Sequence, residues 1–167
     1  MPCESEKKDV EDAVKVVKKF KIKYKIIDLT PVFKKFKKIL PPGDKLSYGN
    51  LKARLRMATL YYFANRNKYL VAGTGNKTEL KIGYFTKYGD GGVDILPIGN
   101  LTKNEVRKLA IKLGIPEEII NKPPSAGFWK GQTDEGEIGI SYDELDKALM
   151  EIEGERSKEK GGRADRL

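Results

Sequence analysis

Apolar positions along the chain follow two periods in turn, and each period points to an element. Between Asp9 and Phe20, the residues Val10, Ala13, Val14, Val17 and Phe20 recur at helical spacing among lysines and acids, which leaves one apolar stripe for a core to cover. "YKIIDL", Tyr24 to Leu29, is a short β-rich run and reads as a buried strand. Thr30-Pro31 then opens a second helix, with a hydroxyl at the cap and proline at the first helical position, where its missing N–H has no helical partner to lose. Val32, Phe33, Phe36, Ile39 and Leu40 carry its apolar face, and "PPGDKLSYGN" ends it. Leu51 to Asn67 forms the next helix, with Leu51, Leu55, Ala58 and Tyr62 on one side.

"YLVAG", Tyr69 to Gly73, reads as a second strand that runs into "TGNKTE" and a short helix through Ile82. "YGDGG" forces a tight loop, since Gly89, Gly91 and Gly92 surround a single aspartate. "VDILPI", Val93 to Ile98, is a third strand. Thr102 with Glu105 makes a capping box for a helix that closes on Gly114, and Ser141 with Glu144 repeats the device. Strands alternating with helices predict an α/β chain with a mainly parallel sheet. Residues 1–153 form the expected domain; 154–167, charged and glycine-rich with nothing to bury, are the expected disordered tail.

Composition removes several chemistries. No apolar run approaches the ~20 residues that span a bilayer, and "MPCESEKKDVED" lacks the basic-then-apolar pattern of a signal peptide; the expectation is a soluble, cytoplasmic protein. Cys3 is the only cysteine, which rules out an internal disulfide and a cysteine metal cluster. With no histidine in the chain, catalysis must rest on carboxylates, lysines, arginines, hydroxyls and backbone amides. A formal charge of +9 favours an anionic partner, either nucleic acid or a phosphorylated small molecule. A lysine-rich, ion-paired surface explains the same number equally well.

Ligands of parallel α/β sheets sit beyond the carboxyl ends of the strands, which selects the segments after Gly73 and around Ile98. Gly73-Thr74-Gly75-Asn76-Lys77-Thr78-Glu79 lets backbone approach an anion, with Glu79 near enough to bind a phosphate-bridging metal. An ordinary turn with Glu79 on a solvated face fits the spacing as well. "FTKYGDGGVD" groups Lys87, Asp90 and Asp94 around glycines, either as a site or as a flexible loop. "KPPSAGFWKGQTDEGE", Lys122 to Glu137, is long and irregular, with the Ser125 hydroxyl and the stacking surfaces of Phe128 and Trp129. Such segments are often binding loops or lids, although the two aromatics also suit satellite core packing. Arg54 and Arg56 suit a phosphate or a plain surface position.

Taken together, "NLKARLRM", "GTGNKTELKIGYFTKYGDGGVDILPIGNLTKNEVRKLAIKLGIPEEII" and "KPPSAGFWKGQTDEGEIGISYDELD" resemble consecutive motifs of ammonia-dependent NAD synthetases of the ATP-pyrophosphatase superfamily, especially the archaeal form. The resemblance implies a Rossmann-like α/β/α fold and an ATP-dependent amidation of deamido-NAD by ammonia through an acyl adenylate. It further implies magnesium, a homodimer, and ATP as co-substrate. Carried over by position, Arg54, Lys87 and Asp94 match deamido-NAD contacts, Thr74, Lys103 and Ser125 match ATP contacts, and Glu79 matches a magnesium ligand. Asp90 and Lys103 match groups close to the reacting atoms.

Two departures accompany the match. The 167 residues contain no Ser-Gly-Gly-x-Asp-Ser pyrophosphate loop, and the ending "SKEKGGRADRL" lacks the family's His-Lys pair. The chain is therefore expected to be an amino-terminally truncated synthetase. An inactive remnant that binds dinucleotide or joins an intact subunit is the alternative, and a basic nucleic-acid-binding protein ranks last for want of a motif.

Overall fold

The computed structural model describes the backbone of residues 1–164 and the side chains of residues 1–154. Among them are eight helices: α1 (Lys7–Lys19), α2 (Thr30–Ile39), α3 (Lys45–Asn67), α4 (Lys77–Ile82), α5 (Lys103–Lys112), α6 (Glu117–Ile120), α7 (Asp134–Ile138) and α8 (Tyr142–Ala164). Of the tail expected from residue 154, the backbone to Ala164 continues α8, and residues 165–167 lie outside the described residues. No helix among them is long and apolar enough to cross a membrane.

Local chemistry sets most boundaries. α3 begins within the segment expected to be a loop, because the Asp44 side chain accepts the Ser47 N–H at 2.6 Å and caps a helix there. It ends at Lys68, which takes a left-handed conformation with φ of 56°. α4 and α5 both open with the reciprocal capping box, Asn76 with Glu79 and Thr102 with Glu105. α7 places one short helix inside the segment expected to be irregular, capped by Thr133.

The expected sheet is the main departure. Among the described residues no strand forms; one parallel bridge joins Ala72 to Ile95. Around it Gly73 N donates to Ile95 O at 2.8 Å and Asp94 N to Val71 O at 3.0 Å, so the parallel direction and the α4 crossover agree with the expectation. The ladder stops for physical reasons. The Val71 N–H, which would extend it, donates instead to the Asp94 carboxylate at 2.7 Å, and Pro97 has no N–H to give. Tyr24 to Leu29 is extended but gains only one ladder-like bond, Leu29 N to Pro2 O at 2.8 Å.

Two cores hold the elements. One is apolar: Cys3, Leu29 and Phe33 are buried, with Met1, Ile27, Tyr48, Leu51 and Leu55 packed around them. This joins the first residues of the chain to α2 and α3. The other is polar and ties α4, α5 and α8. Buried Asp146 accepts the Thr78 hydroxyl and, at 2.8 Å, the Asn104 N–H. Thr78 in turn accepts the Lys103 N–H at 3.0 Å. Three N–H groups at the start of α5 (those of Lys103, Asn104 and Glu105) therefore have protein acceptors, so its side chains rather than its backbone face any ligand.

Candidate functional site

A cleft of about 610 Å³ opens between α3, the bridge segment, the glycine loop and the long loop before α7. Its walls come from Asn50, Ala53, Arg56 and Met57 on α3, Gly73 and Thr74 after the bridge, Tyr84, Phe85, Thr86, Gly89 and Asp90, and Phe128, Trp129 and Gln132. Gly89 is required where it stands: a Cβ there would lie 2.8 Å from the Ala53 Cβ, so the loop packs directly on α3. Thr86 locks the loop, accepting the Gly89 and Gly91 N–H groups on its carbonyl while its own N–H donates to Asp90 Oδ1 at 2.9 Å. Asp90 is thus held at the cleft wall with its second carboxylate oxygen turned to no protein donor among the described residues.

The long loop is fastened at both ends. Lys122 donates to Asp9 at 2.5 Å and Asp12 at 2.9 Å on α1. Lys52, buried on α3, donates to Phe128 O at 2.8 Å. Gly49 admits the Phe128 ring, which a Cβ would meet at 2.8 Å. Phe128 therefore forms a cleft wall, and the ring of Trp129 lies 6.5 Å from it, centroid to centroid.

Behind Tyr84 lies a polar network that runs from exposed Glu137 to buried Asp134 and Tyr142. Tyr84 OH donates to Glu137 at 2.5 Å and approaches Asp134 at 3.3 Å, while Tyr142 OH donates to Asp134 at 2.9 Å. Burial pushes the Asp134 carboxyl above its usual range, against the hydrogen bond from Tyr142. Burial, reinforced by the neighbouring carboxylates, likewise raises both tyrosines. Lys103 Nζ sits 4.6 Å from the centre of the Tyr142 ring and donates to Glu79 Oε1 at 2.8 Å, both side chains being 17% exposed.

The expected site residues fall into groups. Thr74 and Asp90 share the cleft. Glu79 and Lys103 are paired. Arg54 and Lys87 meet at an exposed edge, where Arg54 Nε donates to Lys87 O at 3.2 Å. Asp94 stands apart, its carboxylate accepting Tyr61 OH at 2.9 Å and Val71 N at 2.7 Å. Ser125 is exposed, outside the cleft lining, and accepts the Gly127 N–H at 3.0 Å.

Sequence reasoning passed over Lys52, Tyr84, Asp134 and Tyr142; of the two α3 arginines it named, Arg56 lines the cleft and Arg54 does not. Lys52 and Arg56 lie four residues apart on one helix face, a signal that was available. Arg56 donates to Met1 O at 3.1 Å and Ser5 Oγ at 3.2 Å and has no carboxylate partner among the described residues. Its guanidinium lies 5.7 Å from the Phe128 ring centre, and burial lowers its pKa.

A family model described as NAD synthase matches residues 1–165. The chain belongs to the NAD synthase family. It is 53% identical to the NH3-dependent NAD+ synthetase of Carboxydothermus hydrogenoformans, over 92% of this chain and 65% of that protein. With the NH3-dependent NAD+ synthetase of Archaeoglobus fulgidus it shares 56% identity over 89% of this chain and 60% of the relative. The chain thus spans under two thirds of the length of these relatives. Among solved structures, the NMN synthetase of Francisella tularensis superposes with a TM-score of 0.83 at 40% identity, covering 87% of this chain and 61% of that one. The fold is accordingly the family's Rossmann-like, nucleotide-hydrolase-type arrangement.

Proposed function

We propose that this chain supplies the acid-activating side of an ATP-dependent amidation, in which ammonia converts deamido-NAD to NAD. The observation that carries the reading is the family match across residues 1–165, joined to a cleft lined by both Thr74 and Asp90 together with Phe85, Phe128 and Trp129. In the first step a carboxylate oxygen of deamido-NAD attacks the α-phosphorus of ATP, forming the acyl–phosphate bond as the bond to pyrophosphate breaks. In the second, ammonia attacks the acyl carbon, AMP leaves with the oxygen, and the nitrogen gives up a proton. Asp90, with one carboxylate oxygen uncommitted, is the residue we assign to that proton. Thr74, Lys103 and Ser125 are assigned to ATP, and Arg54, Lys87 and Asp94 to deamido-NAD.

Magnesium fits this donor set only in a particular way. Among the described residues no cluster of three or more carboxylates or cysteines is placed to hold a metal ion. Glu79 is therefore suited to be one protein ligand of an ion whose other ligands are phosphate oxygens and water, the usual habit of magnesium. Such an ion would offset the charge that gathers when a carboxylate approaches a triphosphate. Glu79 and Lys103 would then separate, leaving the ammonium to the phosphates.

The 167 residues hold no Ser-Gly-Gly-x-Asp-Ser string, and we assign the cradle for the departing pyrophosphate to residues of that kind on another segment. The expected outcome is no NAD formation by this polypeptide alone with ATP, magnesium, ammonium and deamido-NAD, and turnover once a loop-bearing segment of a family member is supplied in trans. Full turnover by the 167 residues alone would overturn that division of labour. No turnover in either case would favour the inactive-remnant reading. Because the Francisella tularensis neighbour is an NMN synthetase, the assay includes nicotinate mononucleotide, whose preferred use would shift the acceptor from dinucleotide to mononucleotide. A homodimer is proposed as well, with α3 in its interface, since Tyr61, Tyr62 and Phe63 cannot all face one core.

A further inference from the structure

Asp134 is a buried carboxylate with no cation bonded to it among the described residues. It is 5% exposed; it accepts the Tyr142 hydroxyl at 2.9 Å, and the Tyr84 hydroxyl, which donates to Glu137, lies 3.3 Å away. A buried carboxylate carries a large desolvation penalty, so its retention in the interior calls for an account. Nothing on the cleft surface needs it, because Glu137 already accepts both Tyr84 OH, at 2.5 Å, and Gln132 Nε2, at 3.0 Å.

The other tyrosine gives the account. Tyr142 is fully buried, and its ring face lies 4.6 Å from the Lys103 ammonium. A hydroxyl that donates to a carboxylate is fixed in direction and feeds electron density into its ring, which strengthens the ring's hold on a cation. Lys103 has a second anchor in Glu79, 2.8 Å away, and that anchor is the one lost if Glu79 turns to a metal. The Tyr142 ring then becomes the remaining contact that keeps the ammonium in place.

We propose that Asp134 is a positioning residue for Lys103, acting through Tyr142. The anchoring stands on the geometry; its consequence for nucleotide binding rests on the assignment of Lys103 to ATP. The test is amine-directed labelling of the folded 167-residue chain, with the rate at each lysine read by mass spectrometry. Lys52, buried on α3 and donating to Phe128 O, reports general loosening. In Asp134→Asn, labelling of Lys103 should rise about fivefold, the size expected when a partly desolvated cation–π contact weakens, with Lys52 unchanged. Tyr142→Phe, which keeps the ring and removes its anchor, should give a smaller rise at Lys103 alone. An unchanged Lys103 rate, or Lys103 and Lys52 rising together, would overturn the proposal. If Asp134→Asn does not fold, Tyr142→Phe decides. Labelling with and without magnesium–ATP tests the other reading separately: no protection of Lys103 by the nucleotide would sink the ATP assignment and leave the comparison of variants intact.

Discussion

Glu79 and Asp94 are both acids matched to the site by motif, Glu79 beyond the expected strand Tyr69–Gly73 and Asp94 at the start of Val93–Ile98, and they stand in quite different surroundings. Glu79 closes the α4 capping box, accepting the Asn76 N–H at 3.1 Å with one oxygen and Lys103 with the other. A family position could be assigned to it from the motif, but that it is held by a lysine is visible only in space. Glu79→Gln keeps an oxygen for the capping box and removes the charge facing Lys103. The expected loss of stability is about 1–2 kcal/mol, typical of a charge-assisted hydrogen bond. In an assembly that turns over, the rate should collapse while deamido-NAD still binds. An unchanged rate across magnesium concentrations would refute the metal role. Asp94 accepts one bond on each carboxylate oxygen, from Tyr61 OH and Val71 N–H, so any dinucleotide donor there must share an oxygen that already orders the bridge or its neighbouring helix.

At the scale of elements, helices were legible where they carry their own punctuation, and less so where the next residue in space decides. Thr102 and Glu105 mark their helix start by a capping box, and Pro31 marks another, although the expected Thr30 cap is not made: the cap position there is Leu29, with no side-chain bond. The early start of α3 at Asp44 was just as local but was masked by the paired prolines before it. The attachment of the long loop to α1 could not be read along the chain, because Lys122 is over a hundred positions from its partners Asp9 and Asp12. That attachment should be sensitive to acid. Hydrogen bonds from Lys122, then Lys8, hold the Asp12 carboxyl below its ordinary value, so the folded chain binds fewer protons than the unfolded one. The stabilisation is present above the unfolded value of about 4 and is lost as pH falls through the depressed one. The melting temperature should therefore drop below pH ~4, and Asp12→Asn should flatten part of that fall. An identical acid slope in the variant would show that the contact contributes nothing.

Across the whole molecule the least satisfied surface is apolar. Ile22, Tyr24 and Ile26 are exposed beside α1, and Tyr69 and Leu70 are 72% and 69% exposed beside the bridge. Tyr24 and Ile26, like Tyr69 and Leu70, belong to segments whose patterns predicted strands, the first of them buried. Their side chains and unpaired backbone groups invite association. The purified 167-residue chain is expected to be oligomeric, or loosely packed and tightened by a segment that pairs with those edges, as read by light scattering and thermal melting. A monomer with a sharp melt at high temperature would show that the helical contacts suffice.

The sequence by itself determined the longer helices, the glycine loop, the parallel direction of the bridge and the family, because caps, periodicity and motif order are properties of neighbours along the chain. Only the tertiary structure decided how far the sheet extends, that Arg56 rather than Arg54 faces the cleft, and that Asp134, Tyr142, Lys103 and Glu79 form one line of contacts. A strand's hydrogen bonds belong to its partner, and a buried charge is tolerated only where distant groups converge on it. Both are settled between segments far apart in the chain.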